Sequence, residues 1–218
     1  MKFAGFMFFS TLENLSFFFF IFVLFRFNIR ENILKFGVFS VVLSLVSNSL
    51  QTEFLQATSS LVQAIFIILF VMFFLRVHLF NATVVVITGY IINFMVQWMT
   101  AGLYLHTGIL TDLMNTDDGY ILQVSSAFLM LVFSLVIWSN KGGFSFVENK
   151  SRLKNGRTYI KENKVFIFFL IIAIFVVFVA NFLFITISKP PYLLVSIILL
   201  STLVVLLYLT VRRDERND

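Results

Sequence analysis

Glu13 is a carboxylic acid set among apolar residues, with Phe8 and Phe9 before it and Phe17 to Phe20 after it. A carboxyl group held in hydrocarbon costs on the order of 2–3 kcal/mol even by insertion scales, so it must face other helices or give up its charge. Two kinds of chemistry suit such a group: contact with a ligand or proton, or a hydrogen bond between helices worth about 1 kcal/mol. Amides accompany it at separate points along the chain. Asn14, Asn48, Gln56, Gln63, Asn93, Gln97, Gln123 and Asn181 interrupt otherwise apolar runs. The candidate ligand-binding set is Glu13, Asn14, Gln63, Asn93 and Gln97.

Catalytic groupings are not evident. The chain has no cysteine, which excludes disulfides, thiolate metal sites and Cys nucleophiles. His78 and His106 fall in gaps of opposite sense and so cannot share a metal. No G-x-S-x-G, H-E-x-x-H, phosphate-loop or dinucleotide motif appears. Asp112, Asn115, Asp117 and Asp118 cluster oxygens but miss calcium-loop spacing and lack its closing Glu. The expectation is a non-enzymatic protein with no metal and no cofactor.

The elements that carry these residues follow from composition. Sixty per cent of the 218 residues are hydrophobic and 12% are charged, where a soluble domain has about 25% charged residues. Such a chain cannot cover its surface with polar groups, so its solvent is lipid. A helix needs about 20 apolar residues to cross the hydrocarbon core. Seven segments meet or approach this: 3–25, 33–50, 56–75, 80–104, 120–140, 165–187 and 191–211. The last two are separated only by Ser188-Lys189-Pro190-Pro191, where proline suits a turn and a helix start; a re-entrant hairpin there would leave six spans. The run from Lys2 to Phe25 is too long, and too polar at Glu13, to be a cleaved signal.

Charge orients the segments. Of the 16 Lys and Arg residues, 14 lie in alternate gaps and the tail, with Lys2 and Lys189 as the exceptions. Arg26, Arg30 and Lys35 flank the first gap, Arg76 is in the third, and Arg212, Arg213 and Arg216 form the tail. Lys141, Lys150, Arg152, Lys154, Arg157, Lys161 and Lys164 fill or border the fifth. The positive-inside rule makes these gaps cytoplasmic. The prediction is one all-α domain over 1–218: a polytopic membrane helix bundle of about seven transmembrane helices, N-terminus out and C-terminus in. It has an external loop at 106–119 and a basic cytoplasmic loop at 141–164. Lys150, Arg152, Lys154, Arg157 and Lys161 in that loop face anionic lipid or a cytoplasmic partner. The pI of 9.6 is thus topogenic and does not point to nucleic acid. Phe, Ile and Asn usage suggests a bacterium with an AT-rich genome, and hence a multi-pass protein of the cell (inner, cytoplasmic) membrane.

In this orientation the amides and Glu13 fall in the outer half or at its edge, above inner halves such as Phe17 to Phe25 that are rich in Phe. Buried polar groups require partners, so one outward-facing cluster over a phenylalanine plug is expected. Transporters and channels need polar structure through the full thickness, often with broken helices; no span here has an interior proline. A sensor, with a cavity on one side and a mechanical connection to the other, suits the pattern better.

Seven spans, the outward polar cluster and the basic exit Val211-Arg212-Arg213-Asp214-Glu215-Arg216 together resemble the N-terminal membrane sensor region of peptide-pheromone receptor histidine kinases of Gram-positive quorum sensing. The resemblance is one of topology and composition and spans nearly the whole chain. It implies an extracellular peptide or small molecule as ligand and a cytoplasmic kinase as partner. No phosphoacceptor His segment or ATP-binding box precedes Asp218, so the expectation is a stand-alone sensor, a regulator of a separate kinase, or a truncated receptor. The competing expectations are a membrane subunit of a transport or export complex, whose basic loop docks an ATPase, and a structural or self-immunity membrane protein.

Overall fold

The structure is a computed structural model that describes residues 2–50, 58–110, 116–144, 164–187 and 190–214. The described residues form seven α-helices: α1 (Lys2–Leu24), α2 (Ile29–Ser49), α3 (Ser59–Phe74), α4 (Leu79–Thr107), α5 (Thr116–Ser139), α6 (Lys164–Thr186) and α7 (Tyr192–Asp214). Five of them, α1, α4, α5, α6 and α7, are long and apolar enough to cross a membrane. The third is a shorter apolar helix of 16 residues. The chain is a multi-pass helical membrane protein, as composition predicts. The last two segments are separate helices of 23 residues each, not a short hairpin.

The 106–119 segment expected to be a loop comes out shorter. Helix α4 runs on to Thr107 and α5 starts at Thr116, so the 106–119 connection is trimmed at both ends. Gly108, at φ 74°, ends α4 in the left-handed conformation that glycine adopts without steric cost. Of the 141–164 loop, Lys141 to Phe144 and Lys164 are described. Lys150, Arg152, Lys154, Arg157 and Lys161 lie outside the described residues, as do Glu53, Gln56, Asp112 and Asn115.

Ring contacts and side-chain bonds give each helix its direction. Glu13, Phe17 and Ile21 of α1 meet Gln97, Tyr90 and Gly89 of α4, a descending register that makes the two helices antiparallel. Phe9 lies on Tyr120 and Arg26 reaches Lys141, so α1 and α5 are parallel. Phe80 meets Phe166 and Trp98 meets Phe184, so α4 and α6 are parallel too. The helices alternate up and down. The last turns of α1, α3 and α5, followed by Arg26, Arg76 and Lys141, therefore lie at one end, while the first turn of α1 and the last turns of α2, α4 and α6 lie at the other.

Helix α4 is the axis of the bundle and packs against α1, α3, α5, α6 and α7. It is buried along most of its length, from Asn81 to Ala101. Close approach is possible because α4 carries glycine where its neighbours cross. A Cβ at Gly89 would lie 2.4 Å from Ile21 Cγ2 and 3.1 Å from the Phe17 ring. One at Gly102 would lie 3.1 Å from Tyr192 Cβ on α7. Small residues at crossings let membrane helices gain dispersion contact where no hydrophobic force drives them together.

Phenylalanines fill the other half of α1. Phe18, Phe22 and Phe25 are fully buried. Phe22 and Phe36 have ring centroids 3.9 Å apart, Phe39 and Phe70 stack at 4.1 Å, and Phe18 meets Phe70 at 5.6 Å. The apolar plug is thus built by α1 with α2 and α3. The equally Phe-rich runs of α3 and α6 are turned partly outward: Phe73, Phe74, Phe168 and Phe175 are exposed on the lipid face.

Replacing Gly89 by Ala forces a methyl into the fully buried Ile21, a β-branched side chain with little freedom to move. The variant is expected to lose about 1–3 kcal/mol, read as a lower unfolding temperature in mild detergent. Gly37→Ala, where no atom lies within 4 Å of the added methyl, is the control. It should be neutral or gain about 0.5–1 kcal/mol of helix propensity.

Candidate functional site

All five candidate residues line one cavity of about 510 Å³. Its wall draws on the first half of α1 (Ser10, Glu13, Asn14), the last turn of α2 (Ser47) and the first turns of α3 (Ser59, Ser60, Gln63). It also takes Asn93 and Gln97 from α4, Gln123 from α5 and Asn181 from α6. These positions belong together because up-and-down packing puts the start of every odd helix beside the end of every even one. The cavity therefore sits at one end of the bundle, opposite the end that bears Arg26, Arg76 and Lys141. Phe17, Ile67 and Tyr90 also line it, beside the Phe18–Phe36–Phe70 cluster.

Within α4, Asn93 and Gln97 keep partial exposure while Ile91, Ile92, Phe94, Val96 and Trp98 around them are buried. Residues four apart lie on one face of a helix, so this pair forms the polar stripe of an otherwise apolar element. Gln97 Nε2 donates to Glu13 Oε1 across the α1–α4 crossing. A second network joins α1 to α2: Thr11 Oγ1 and Asn14 Nδ2 donate to Ser44 Oγ at 3.0 and 3.2 Å. Ser44 Oγ in turn donates to Ser40 O at 2.9 Å. Both networks satisfy polar groups that lipid cannot.

The remaining polar candidates scatter. Asn48, one residue from Ser47, does not line the cavity. His78 caps α4, its Nδ1 accepting from Phe80 N at 3.4 Å. Trp98 is fully buried between Phe184 and Tyr192, whereas Trp138 is exposed. Among the described residues no group of three His, Cys, Asp or Glu side chains is close enough to hold a metal.

Several lining residues escaped the sequence reading: Ser10, Ser47, Ser59, Ser60 and the rings of Phe6, Tyr90, Phe94 and Phe184. For Tyr90 and Phe94 a signal existed, since they flank Asn93 at helical spacing on the same side as Gln97. The serines give no such signal, because membrane helices tolerate them by bonding back to their own backbone, as Ser134 and Thr210 do here at 2.6 and 2.7 Å.

The Glu13–Gln97 bond has a measurable strength. Gln97→Leu takes a donor from the Glu13 carboxyl and is expected to cost about 1–2 kcal/mol. In the Glu13→Leu/Gln97→Leu double variant much of that loss should return, so a double-mutant cycle on unfolding in mild detergent gives a non-zero coupling. Additive losses would mean that the two side chains do not interact. No protein-family model, curated protein or solved structure matches this chain.

Proposed function

We propose that this protein is an integral membrane sensor or regulatory protein, without catalytic activity of its own, that binds an extracytoplasmic small molecule or peptide in the cavity around Glu13. One observation carries the reading: the polar cavity is one-ended. It gathers groups from six helices at the end away from the basic links, and interlocked phenylalanines lie beneath it. By the positive-inside rule the basic end is cytoplasmic, so the cavity faces out, with N-terminus out and C-terminus in. A conducting path would need water or polar groups through the Phe18–Phe22–Phe36–Phe70 layer, where there are rings instead. The resemblance to pheromone-receptor sensor regions agrees with this reading. The signal would leave through the basic 141–164 loop and the C-terminal end of α7, toward a kinase or other partner in the cytoplasm of a bacterial cell.

The absence of native cysteine makes topology the first test. Gln63→Cys in intact cells should react with a membrane-impermeant thiol reagent added outside, and Ser151→Cys should react only after the inner face is opened. The reverse pattern would overturn the orientation and, with it, the extracytoplasmic ligand. Crosslinking in native membranes should then recover a histidine kinase or response regulator. Recovery of an ATPase subunit would replace sensing by transport. Glu13→Ala should abolish the cellular response while the protein still inserts; an unchanged response would count against a ligand role for the cavity.

A further inference from the structure

We propose that the ligand of this cavity is a small organic cation: an ammonium group carried on an apolar body of about the size of one aromatic ring. The inference rests on the cavity being the ligand site and goes on to name the ligand's chemical class.

Charge sign comes first. The cavity is lined by one carboxyl group, Glu13, and by no Lys, Arg or His among the described residues. An anionic ligand would find an acid and no cation to pair with. A divalent metal would find a single carboxylate, too few hard oxygens for a site.

Hydrogen-bond polarity comes second. Gln97 spends an N–H on Glu13, and Asn14 spends an N–H on Ser44. Asn93 also lies against the Glu13 carboxyl, and Asn14 Oδ1 and Gln97 Oε1 accept no hydrogen bond in these two networks. Gln123 Oε1, on α5, is buried with no hydrogen-bond partner among the described residues. These acceptors, with the carboxyl group beside them, match a ligand that brings donors, and an ammonium group carries three N–H and no acceptor. A hydrocarbon ligand would leave these oxygens desolvated and unpaired, which costs free energy.

Shape and surface come third. Tyr90 has ring centroids 5.1 Å from Phe17 and 5.9 Å from Phe94, and all three rings line the cavity beside the carboxyl group. Aromatic faces next to an acid are how proteins hold ammonium ions, each face adding roughly 0.5–1 kcal/mol or more when water is excluded. The volume of about 510 Å³ lies within the range of small-molecule sites and admits a body larger than a bare ion.

The test uses the full chain in lipid nanodiscs, with phenethylammonium as probe and 2-phenylethanol as its neutral counterpart. Calorimetry should show the ammonium binding at least about tenfold more tightly than the alcohol, the difference of one charge-assisted contact. Glu13→Gln should remove that preference, and Phe94→Leu should weaken ammonium binding roughly two- to fivefold. Each variant's ligand-free unfolding temperature certifies that it is folded, and the comparison of the two probes on the wild-type chain needs no variant. Equal affinity for ammonium and alcohol, or an unchanged preference in folded Glu13→Gln, overturns the cation assignment and leaves a ligand cavity of another class. Binding of neither probe overturns it as well. In that case the outside reactivity of Gln63→Cys decides whether the outward-facing cavity survives or falls with it.

Discussion

The crossing of α1 over α4 at Gly89 is the constraint on which the remaining structure hangs. Without a Cβ there, Ile21 and Phe17 settle against the α4 backbone. That depth of contact sets the register of the two helices. One turn up α1 from Phe17, it brings Glu13 opposite Gln97, so the costliest side chain in the bundle meets a donor rather than lipid. In the other direction it leaves Phe18, Phe22 and Phe25 fully buried, and α2 and α3 close over the first two with Phe36, Phe39 and Phe70. A wider crossing would separate the acid from its partner and loosen the rings together.

The polar and apolar halves therefore come from one packing solution. Along α1 the side chains change from Ser10, Glu13 and Asn14 to an unbroken run of phenylalanine. Because the neighbours of α1 alternate in direction, their matching halves are brought to the same level: the end of α2, the start of α3 and the end of α4 supply amides and hydroxyls where α1 supplies its acid. The cavity is what remains when six such segments converge without enough side-chain volume to fill the space between them.

At the opposite end cations close the helices. Arg26, Arg76 and Lys141 follow α1, α3 and α5 and adopt left-handed backbone angles of φ 53°, 54° and 51°. Glycine usually fills that position, since a Cβ there costs on the order of 1–2 kcal/mol. A cation offsets the strain by opposing the partial negative charge of the helix end. Arg26 does more: its guanidinium donates to Lys141 O at 2.7 Å, and Phe144 N donates to Leu24 O at 2.7 Å, so the parallel helices α1 and α5 finish in a shared knot. The basic residues that stand out in the sequence thus also close its helices.

What the sequence determined by itself was the solvent, the helices and which ends carry the basic residues. These depend on local composition: apolar runs of 20 residues need lipid, and basic gaps that alternate with acidic ones need a protein that crosses repeatedly. It also singled out Glu13, Asn14, Gln63, Asn93 and Gln97, because polar groups in apolar runs stand out one at a time. Tertiary structure alone decided that these five share a cavity, since that depends on how each helix is rotated about its axis, and the near-uniform hydrophobicity around these helices leaves rotation unmarked in sequence. It decided which phenylalanines are core and which face lipid, a choice invisible where both environments are equally apolar. It also brought the rings of Tyr90 and Phe94 beside the acid, a juxtaposition set by the missing side chain at Gly89 rather than by any polar residue.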